Sequence, residues 1–204
     1  IQEHMDSPNL DPEFRETVAK AISVLGEMGA SSEYISIPLA PNAGALTMSI
    51  LSVEWSNLHR KLFEENFKEL DHNNKIRFLT GSIIPAQLYY KAQKLRELVR
   101  RQVLETLETY DVLILPTSKS CATVSADDPV ITSKEMAAAM TLVMTRPFNL
   151  ANAPSLSINC GFNSQGLPIG LQIGGRPFAE ETVLKVGHAY EQSTPWHSMR
   201  PPNT

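Results

Sequence analysis

Four consecutive apolar residues, Val112, Leu113, Ile114 and Leu115, constrain the fold more than any other stretch of the sequence. A strand with one solvated face alternates apolar and polar residues, whereas an unbroken, mostly branched run is typical of a strand that is covered on both faces. Pro116 has no N–H to donate and ends the run. The sequence therefore predicts a buried strand with packed structure on both of its sides.

Helical patterns lie on both sides of this strand along the chain. Asp11 predicts a helix N-cap, Pro12 suits the first helical position, and Gly29 is placed to end the helix. Thr132 and Glu135 form a capping box, which predicts a helix that runs to about residue 144. Apolar residues at three- and four-residue spacing predict the other helices, at residues 45–70, 85–110 and 180–192.

Three short segments outside the apolar run predict further strands. Residues 155–160 and 169–173 alternate in the manner of strands, and the turn residues 163–166 between them predict a hairpin. Residues 34–37 predict another short strand directly after the first helix. Because a helix followed by a strand is the unit expected at a mostly parallel sheet, these patterns predict an α/β protein.

Composition excludes several classes of protein. Apolar residues make up 42% of the chain and charged residues 20%, which fits a globular protein with a packed core and argues against a disordered one. The formal net charge of −4 gives no electrostatic reason to bind nucleic acid or an anionic membrane. The sequence also lacks a run of apolar residues long enough to cross a bilayer. We therefore expect neither nucleic acid nor a membrane as a partner.

The numbers and spacing of the cysteines and histidines predict the redox environment of the protein and whether it binds a metal ion. Cys121 and Cys160 are too few for a disulfide framework, and neither lies in a spacing that suits zinc. The histidines are too scattered along the sequence to predict a metal site. These features predict a reduced, cytoplasmic setting and a protein that uses no metal and no cofactor.

Three segments of the chain carry a resemblance to a known family, the weakest of them being Glu54 with His59 on one helix. Residues 145–162 read TRPFNLANAPSLSINCGF, and residues 166–178 continue as GLPIGLQIGGRPF. Earlier in the chain, residues 89–96 read YYKAQKLR and lead to the run at residues 111–117, DVLILPT. In this order and spacing they resemble the amidase-signature family, whose members hydrolyse carboxamide bonds.

The resemblance implies an α/β fold with a mixed, largely parallel sheet flanked by helices. In the family a nucleophilic Ser attacks the amide carbonyl and is activated by a second Ser and a Lys. Such a Ser needs a base that takes its proton and backbone donors that hold the oxyanion, which calls for a tight Gly- and Ser-rich turn. This sequence has no such turn, because its only Gly-Gly pair, Gly174 and Gly175, is followed by Arg176 and Pro177.

In the family the catalytic turn precedes the region that this sequence resembles. We therefore expect no catalytic residue in this chain and expect residues 1–204 to be the carboxyl-terminal part of a single amidase domain. Ile1, an isolated apolar residue before a polar stretch, is typical of the exit from a strand whose earlier residues are missing. The expected partners are a small-molecule amide and the amino-terminal part of the same enzyme. The sequence leaves the oligomeric state open, with a homo-oligomer among the alternatives.

Four residues are candidates for the wall of the substrate pocket: Thr117, Phe148, Asn149 and Arg77. Phe148 and Asn149 lie in the segment that, by the resemblance, faces the acyl pocket. Asn149 either donates to the substrate or satisfies loop backbone groups, Phe148 also suits the core, and Thr117 likewise has a structural and a functional interpretation. Arg77, four residues before Gly81, resembles the position where glutamine-using relatives hold the substrate carboxylate. The alternative for Arg77 is an ordinary surface arginine.

The neighbouring residues Ser118 and Lys119 also suggest a nucleophile and its base. Adjacent residues on an extended loop point in opposite directions, which places the two side chains poorly for proton transfer. The structural interpretation is a loop at the carboxyl end of a strand, which still borders the region where ligands of open sheets gather. We therefore expect no catalysis from this pair.

One departure from the family bears on the substrate. Glutamine-using relatives carry an acidic residue three positions before the Thr of the Thr-x-Pro segment, where this chain has Leu142. An apolar side chain cannot pair with an α-ammonium group. This favours a stand-alone amidase over the glutaminase-type component of a transfer-RNA amidotransferase. A further alternative is a non-catalytic binding or scaffold module with the same fold.

Overall fold

A computed structural model describes residues 1–122 and 144–200 of the chain. The helices of these two ranges are α1 (Gln2–Met5), α2 (Pro12–Glu27), α3 (Ala43–Leu58), α4 (Arg60–Asn66), α5 (His72–Ile83), α6 (Ala86–Thr109), α7 (Arg146–Ala151) and α8 (Glu180–Gln192). The strands are β1 (Val112–Pro116), β2 (Ser155–Phe162) and β3 (Pro168–Gly175), and 3-10 turns occur at Ala40–Asn42, Phe67–Glu69 and Trp196–Ser198. The predicted helix that opens at Thr132 and the residue Leu142 lie outside the described residues.

Three predicted helices are confirmed with nearly the expected bounds: α2, α6 and α8. The side chain of Asp11 caps α2 by accepting a hydrogen bond from the Glu13 N–H at 2.8 Å. Gly29 follows the helix with φ of +98°, the left-handed conformation that glycine adopts without a steric penalty. Local capping chemistry therefore sets the bounds of α2.

The predicted helical region over residues 45–70 is divided in the structure into α3, α4 and a 3-10 turn. The chain bends at His59, where φ is −97° and ψ is +12°, so that α3 ends at Leu58 and α4 begins directly afterwards. The ring of His59 packs at 5.3 Å from that of Trp55. The sequence prediction also missed α5, whose cap is the Asp71 carboxylate accepting from the Asn74 N–H at 3.0 Å.

The predicted strand at residues 34–37 is wrong. Its backbone groups bind α1 instead of a neighbouring strand: the Gln2 N–H donates to the Ile35 carbonyl at 2.8 Å, and the Ile37 N–H donates to the Glu3 carboxylate at 3.0 Å. Extended backbone without a ladder partner is not a strand, and alternation of apolar residues alone does not reveal the partner.

The three described strands form one sheet in the order β1-β3-β2, and both pairings are antiparallel. The predicted α/β class, with a sheet flanked by helices, is confirmed. The described pairings differ from the largely parallel arrangement, because the short turn between β2 and β3 reverses the chain and β1 also runs against β3. Gly166 occupies that turn with φ of +77°, as the turn residues predicted.

Successive side chains of β3 point to opposite faces of the sheet. On one face Ile169, Leu171 and Ile173 are fully buried, and α2 and α8 pack against the sheet. We call the other face, which carries Gly170, Gln172 and Gly174, the polar face. The polar face continues onto β2 at Ser155, Ser157 and Asn159, whereas the register partners on β1, Leu113 and Leu115, are buried apolar residues.

Helices α3, α4 and α5 form a second packed region, which we call the helical unit. The rings of Phe63 and Phe78 stack at 4.1 Å, and Trp55 packs edge-on against Phe63 at 5.0 Å. Gly81 of α5 lies so close to α3 that a Cβ atom there would sit 2.1 Å from the carbonyl oxygen of Ser52. Phe63 is buried but does not belong to the apolar cluster that surrounds the sheet.

Candidate functional site

Two hydroxyl groups meet on the polar face beyond the carboxyl end of β1. Thr117 Oγ1 lies 2.7 Å from Ser157 Oγ, and the Thr117 N–H donates to the Gly170 carbonyl at 2.9 Å. The hydroxyls reach each other across the central strand because Gly170 has no side chain: a Cβ atom there would lie 2.7 Å from Thr117 Oγ1. Ser157 is exposed and Thr117 half-buried, so the pair borders solvent.

A second polar pair lies further along the same face. Gln172 is only 2% exposed, and its Nε2 donates to Ser155 Oγ at 3.1 Å. The Gln172 Oε1 atom is buried and has no hydrogen-bond partner among the described residues. A buried carbonyl without a donor is costly, so this amide is a point where a further donor would stabilise the fold.

Phe148 and Asn149 lie on neighbouring positions of α7 but in different surroundings. Phe148 is buried, and its ring covers Gly174 so closely that a Cβ atom there would lie 2.1 Å from the ring. Asn149 is exposed. Its carbonyl accepts from the Asn152 N–H at 3.3 Å, within the left-handed turn that ends the helix. Phe148 therefore fixes α7 on the polar face, and Asn149 points away from the core.

A contact with α6 holds the end of α7 in place. The Arg96 guanidinium donates to Asn152 Oδ1 at 3.0 Å and to the Leu150 carbonyl at 3.3 Å. Asn152 itself has φ of 54°, a conformation that Asn tolerates better than most residues. The YYKAQKLR and TRPFNLAN segments, which carry the family resemblance, therefore meet in the fold.

Arg77 lies in the helical unit, on α5. Its guanidinium is 5.5 Å from the centre of the Trp55 ring, a cation–π contact. No ion pair to a carboxylate involves Arg77 within residues 1–122 and 144–200. The structure thus places Thr117 and Phe148 on one face of the sheet, Asn149 on the helix that covers it, and Arg77 on a different packed region.

Ser118 and Lys119 do not form a catalytic pair. Ser118 Oγ donates to the Ser120 carbonyl at 2.8 Å, and the Lys119 carbonyl accepts from the Asp11 N–H at 2.9 Å. Burial lowers the pKa of the Lys119 ammonium. Throughout the described ranges, no hydrogen bond joins a serine hydroxyl to a lysine or histidine side chain.

The two thiols are poor nucleophiles in the folded chain. Burial raises the pKa of the Cys160 thiol to about 12, and Cys160 is itself buried. The pKa of Cys121 is also raised, first by burial and then by the nearby carboxylates of Asp11 and Glu13. Since the thiolate is the reactive form, neither cysteine is activated.

Three other features of the described part concern metals, membranes and cavities. Its His, Cys, Asp and Glu residues form no cluster of three or more that could hold a metal ion. None of its helices combines the length and apolar character needed to cross a bilayer. A shallow cavity of about 470 Å³ is lined by Arg100, Asn152, Phe178 and Glu180 among others, and it includes none of the four predicted pocket residues.

Sequence reasoning missed Ser157, Ser155 and Gln172. Their signal was present, because alternation along a strand whose other face is apolar identifies these polar residues as a set. The meeting of Ser157 with Thr117 depends on strand order, which the sequence pattern does not contain. Nor does the pattern indicate that Gln172 lies on the central strand.

Comparisons with known proteins agree on one family. The amidase family profile matches residues 2–184. The A component of the glutamyl-tRNA(Gln) amidotransferase of Picosynechococcus sp. is 34% identical over 216 residues, covering 94% of this chain and 44% of that protein. Its counterpart in Moorella thermoacetica is 36% identical over 218 residues, covering 94% of this chain and 43% of that protein.

Solved structures agree on the fold. A bacterial aryl acylamidase of the amidase-signature family superposes with a TM-score of 0.80 at 20% identity, over 94% of this chain and 44% of that one. The A component of the glutamyl-tRNA(Gln) amidotransferase of Thermotoga maritima superposes with a TM-score of 0.71 at 24% identity, over 98% of this chain and 43% of that one. The chain spans less than half the length of the curated relatives that it matches. With the sheet, the covering helices and the family profile in agreement over most of its length, the chain belongs to the amidase-signature family.

Proposed function

We propose that this chain forms the scaffold and one wall of the active site of an amide hydrolase, and that the nucleophile comes from an amino-terminal part of the same enzyme. One observation carries the proposal: the family profile extends over residues 2–184, while the chain spans only 44% of a matching relative. The described residues, in addition, contain no serine that is hydrogen-bonded to a basic side chain. Residues 1–204 are then the carboxyl-terminal part of one amidase domain.

The reaction would be hydrolysis of a carboxamide to a carboxylate and ammonia or an amine. By family resemblance, a Ser activated by a second Ser and a Lys attacks the carbonyl, and backbone donors hold the oxyanion. This chain would contribute the surface against which the substrate lies. Thr117 borders solvent on the polar face and Asn149 is exposed on α7, so both are available as wall residues, whereas Phe148 supports the wall from behind.

Reconstitution tests this function. The chain is mixed with the amino-terminal part of its parent, and ammonia release is measured on a panel of aliphatic, aromatic and amino-acid amides. We expect hydrolysis by the mixture and none by either part alone, because each part lacks groups that the reaction needs. Robust hydrolysis by the purified chain alone would overturn the proposal. An inactive mixture whose two parts nevertheless associate would favour the non-catalytic scaffold.

A second candidate function is the glutaminase step of a transfer-RNA amidotransferase, and Arg77 is the observation that favours it. The guanidinium is half-buried over Trp55 and forms no ion pair with a carboxylate in the described ranges, which suits a group that receives a substrate carboxylate. Leu142 argues against this function, since it replaces the acidic partner of an α-ammonium group.

Substitution of Arg77 separates the two functions. In the reconstituted enzyme, Arg77→Met should raise the KM for glutamine roughly 10- to 100-fold if Arg77 binds the substrate carboxylate. If the substrate is a less polar amide, KM for that amide should stay within about twofold, because no charge is lost from the site. Lys75→Met on the same helix is the matched control for loss of one positive charge.

The setting that we propose is the cytoplasm. Both cysteines are free thiols in the fold, which suits a reducing compartment. Fractionation of cells that produce the full-length parent tests this, with the enzyme expected in the soluble cytoplasmic fraction.

A further inference from the structure

We propose that Arg96 is a positioning residue of the amide hydrolase, which fixes the carboxyl end of α7 and thereby sets the preference of the enzyme among acyl groups. The inference rests on the proposed function, in which Asn149 of α7 is a wall residue. It adds the group that holds this wall and the substrates that depend on it, namely amides whose acyl chain is long enough to reach α7. The observations that carry it are the shortness of α7, the two hydrogen bonds of the guanidinium and the anchoring of α6.

Helix α7 is too short to hold its own position. It has six residues, and isolated helices of this length are not stable in water. Phe148 holds the middle of the helix, because its ring packs against Gly174 of the central strand. The residues that follow Phe148, including Asn149, need a contact of their own to keep a fixed place.

The half-buried guanidinium of Arg96 supplies this contact with two donors. Its Nε donates to the Leu150 carbonyl at 3.3 Å, and its Nη2 donates to Asn152 Oδ1 at 3.0 Å. The last four carbonyls of a helix have no partner within the helix, and the Leu150 carbonyl is one of them. A planar guanidinium holds two acceptors in a fixed relative geometry, which a lysine ammonium does not. Arg96 therefore fixes both the position and the orientation of the helix end.

Asn149 lies between the two atoms that Arg96 holds. The next residue along the chain is Leu150, whose carbonyl accepts from the guanidinium. The carbonyl of Asn149 itself accepts from the Asn152 N–H at 3.3 Å, and the Asn152 side chain accepts the second bond from Arg96. The Asn149 side chain is exposed, and within the described ranges no hydrogen bond ends on it. The direction of this side chain therefore depends on the backbone that Arg96 holds.

Arg96 projects from a helix that is itself anchored. The Tyr89 hydroxyl donates to the Glu54 carboxylate of α3 at 2.8 Å, and Gln93 Nε2 donates to the Tyr89 hydroxyl oxygen at 2.9 Å. Tyr89, Gln93 and Arg96 follow one another at four- and three-residue spacing, which places them on one face of α6. This face of α6 therefore binds α3 at one end and α7 at the other, so that the helical unit and the proposed wall keep a fixed relative position.

The substrates that depend on Arg96 follow from the position of α7 in the wall. An acyl group that reaches α7 gains binding energy only while the wall keeps its geometry, and a displacement of about 1 Å can cost roughly 100-fold in rate. An acyl group too short to reach α7 loses nothing. Loss of folded enzyme would instead lower the rates for all amides by the same factor. The ratio of kcat/KM between a long and a short amide therefore distinguishes positioning from a purely structural role.

Kinetics with a series of linear amides, from acetamide to octanamide, test the inference. Arg96→Met is introduced into this chain, the chain is mixed with the amino-terminal part, and kcat/KM is measured for each amide. We expect Arg96→Met to lower the ratio of kcat/KM for the longest amide that the wild-type mixture hydrolyses to that for the shortest by roughly 10- to 100-fold. Arg101→Met removes an exposed arginine from the same helix, and this matched control should leave the ratio within about twofold.

Two milder substitutions divide the Arg96 contact into its parts. Asn152→Gly removes the Oδ1 acceptor but keeps the backbone φ of 54°, which glycine adopts without strain. It should lower the ratio by roughly threefold, and the double variant should lower it no further than Arg96→Met alone, because both changes remove the same contact. Arg96→Lys keeps the positive charge but not the two-pronged geometry, so it should restore only part of the ratio.

Hydrogen exchange of the chain alone provides a readout that does not depend on activity. The Asn152 N–H donates to the Asn149 carbonyl, so its exchange rate reports on the end of α7. The N–H of Ile173, on the central strand, reports on the sheet. We expect Arg96→Met to speed exchange at Asn152 by roughly tenfold more than at Ile173.

The outcomes separate this inference from the proposed function. A mixture that hydrolyses amides with the same long-to-short ratio before and after Arg96→Met would overturn the positioning role and leave the function intact. Equal changes in exchange at Asn152 and Ile173 would also overturn it, because Arg96 would then stabilise the whole chain. A wild-type mixture that hydrolyses no amide would overturn the proposed function and, with it, the role of Arg96 toward a substrate.

Discussion

The centre of β3 and the helical unit bury their apolar side chains to very different extents. Leu171 is fully buried between two layers of structure, whereas Leu58 at the end of α3 is 77% exposed and Ile83 at the end of α5 is 80% exposed. One face of the sheet is buried by aliphatic packing, and the polar face is covered in part by the Phe148 ring. The helical unit is held by a stack of rings, and it exposes several large apolar side chains, namely Leu58, Leu62, Leu79 and Ile83.

The stabilities of the two regions should therefore respond differently to the shortening of an apolar side chain. A side chain that is already in water loses little when it is shortened, whereas one in a packed core leaves a cavity. The two tryptophans report on the regions separately, because Trp55 lies in the ring stack and Trp196 packs against Phe162 of β2 at 5.9 Å. Single-tryptophan variants therefore allow fluorescence to follow each region during unfolding.

The largest expected effect comes from shortening one leucine in each region. Leu171→Ala should lower the free energy of unfolding by about 3 kcal/mol, because it removes fully buried atoms from the central strand. Leu58→Ala should change it by less than about 0.5 kcal/mol. Urea unfolding measures the two values, followed by Trp196 fluorescence for Leu171→Ala and by Trp55 fluorescence for Leu58→Ala. Equal losses of unfolding free energy from the two variants would show that the two leucines are equally buried in solution.

The second expected effect is a pH dependence of the free energy of unfolding, which arises from a group beside the sheet. His4 is buried on α1, which packs against β1, and burial lowers its pKa to about 4, with the nearby terminal ammonium acting in the same direction. The unfolded chain therefore binds the proton more readily than the folded one. The stabilising contribution of neutral His4 is present above about pH 6.5 and should fall by about 1.5 kcal/mol between pH 6.5 and pH 5.

A variant without the titrating ring checks this assignment. His4→Asn should flatten the pH dependence over that window, even if it lowers stability at every pH. The free energy of unfolding is measured by urea titration at half-unit steps of pH. A slope that survives the substitution would show that another group is responsible.

Substitution of one glycine in each region by alanine should change stability in opposite directions. Gly81→Ala should destabilise the helical unit by about 1–2 kcal/mol, because the added methyl group would meet the Ser52 carbonyl of α3. Gly26→Ala on α2 meets nothing within 4 Å and should stabilise the chain by about 0.5–1 kcal/mol through helix propensity. Trp55 fluorescence should detect the first change. If both alanines stabilise, α3 and α5 are not in close contact.

The smallest expected effect is the coupling of the hydroxyl pair across Gly170. Thr117→Val and Ser157→Ala should each cost about 0.5–1 kcal/mol, and the double variant should cost less than their sum. A double-mutant cycle in urea provides the coupling energy. Additive losses would mean that the two hydroxyls do not interact in solution.

The sequence predicted the sheet side better than the helical unit. The unbroken run at Val112–Pro116 predicted β1, and alternation with a glycine turn predicted the hairpin of β2 and β3. These signals are local. The antiparallel placement of β1 beside β3 depends on tertiary contacts, which explains why the described pairings differ from the largely parallel sheet that was expected.

The helical unit was harder to predict because its apolar residues continue through a bend. The pattern over residues 45–70 has no Gly or Pro at His59, so nothing local indicated that α3 ends there. For the candidate site, the sequence offered Thr117 as a candidate for the pocket wall but did not predict its hydroxyl partner Ser157, since strand order brings these two together. The roles of Thr117, Phe148, Asn149 and Arg77 toward a substrate stay predictions.

Covalent labelling of the nucleophile tests whether it lies outside residues 1–204. The active mixture of this chain and the amino-terminal part is treated with a fluorophosphonate, which forms a covalent adduct with activated serines, and the intact masses of both polypeptides are measured. We predict one adduct on the amino-terminal part, in step with loss of activity, and none on residues 1–204. A stoichiometric adduct on this chain that abolishes hydrolysis would show that residues 1–204 supply the nucleophile.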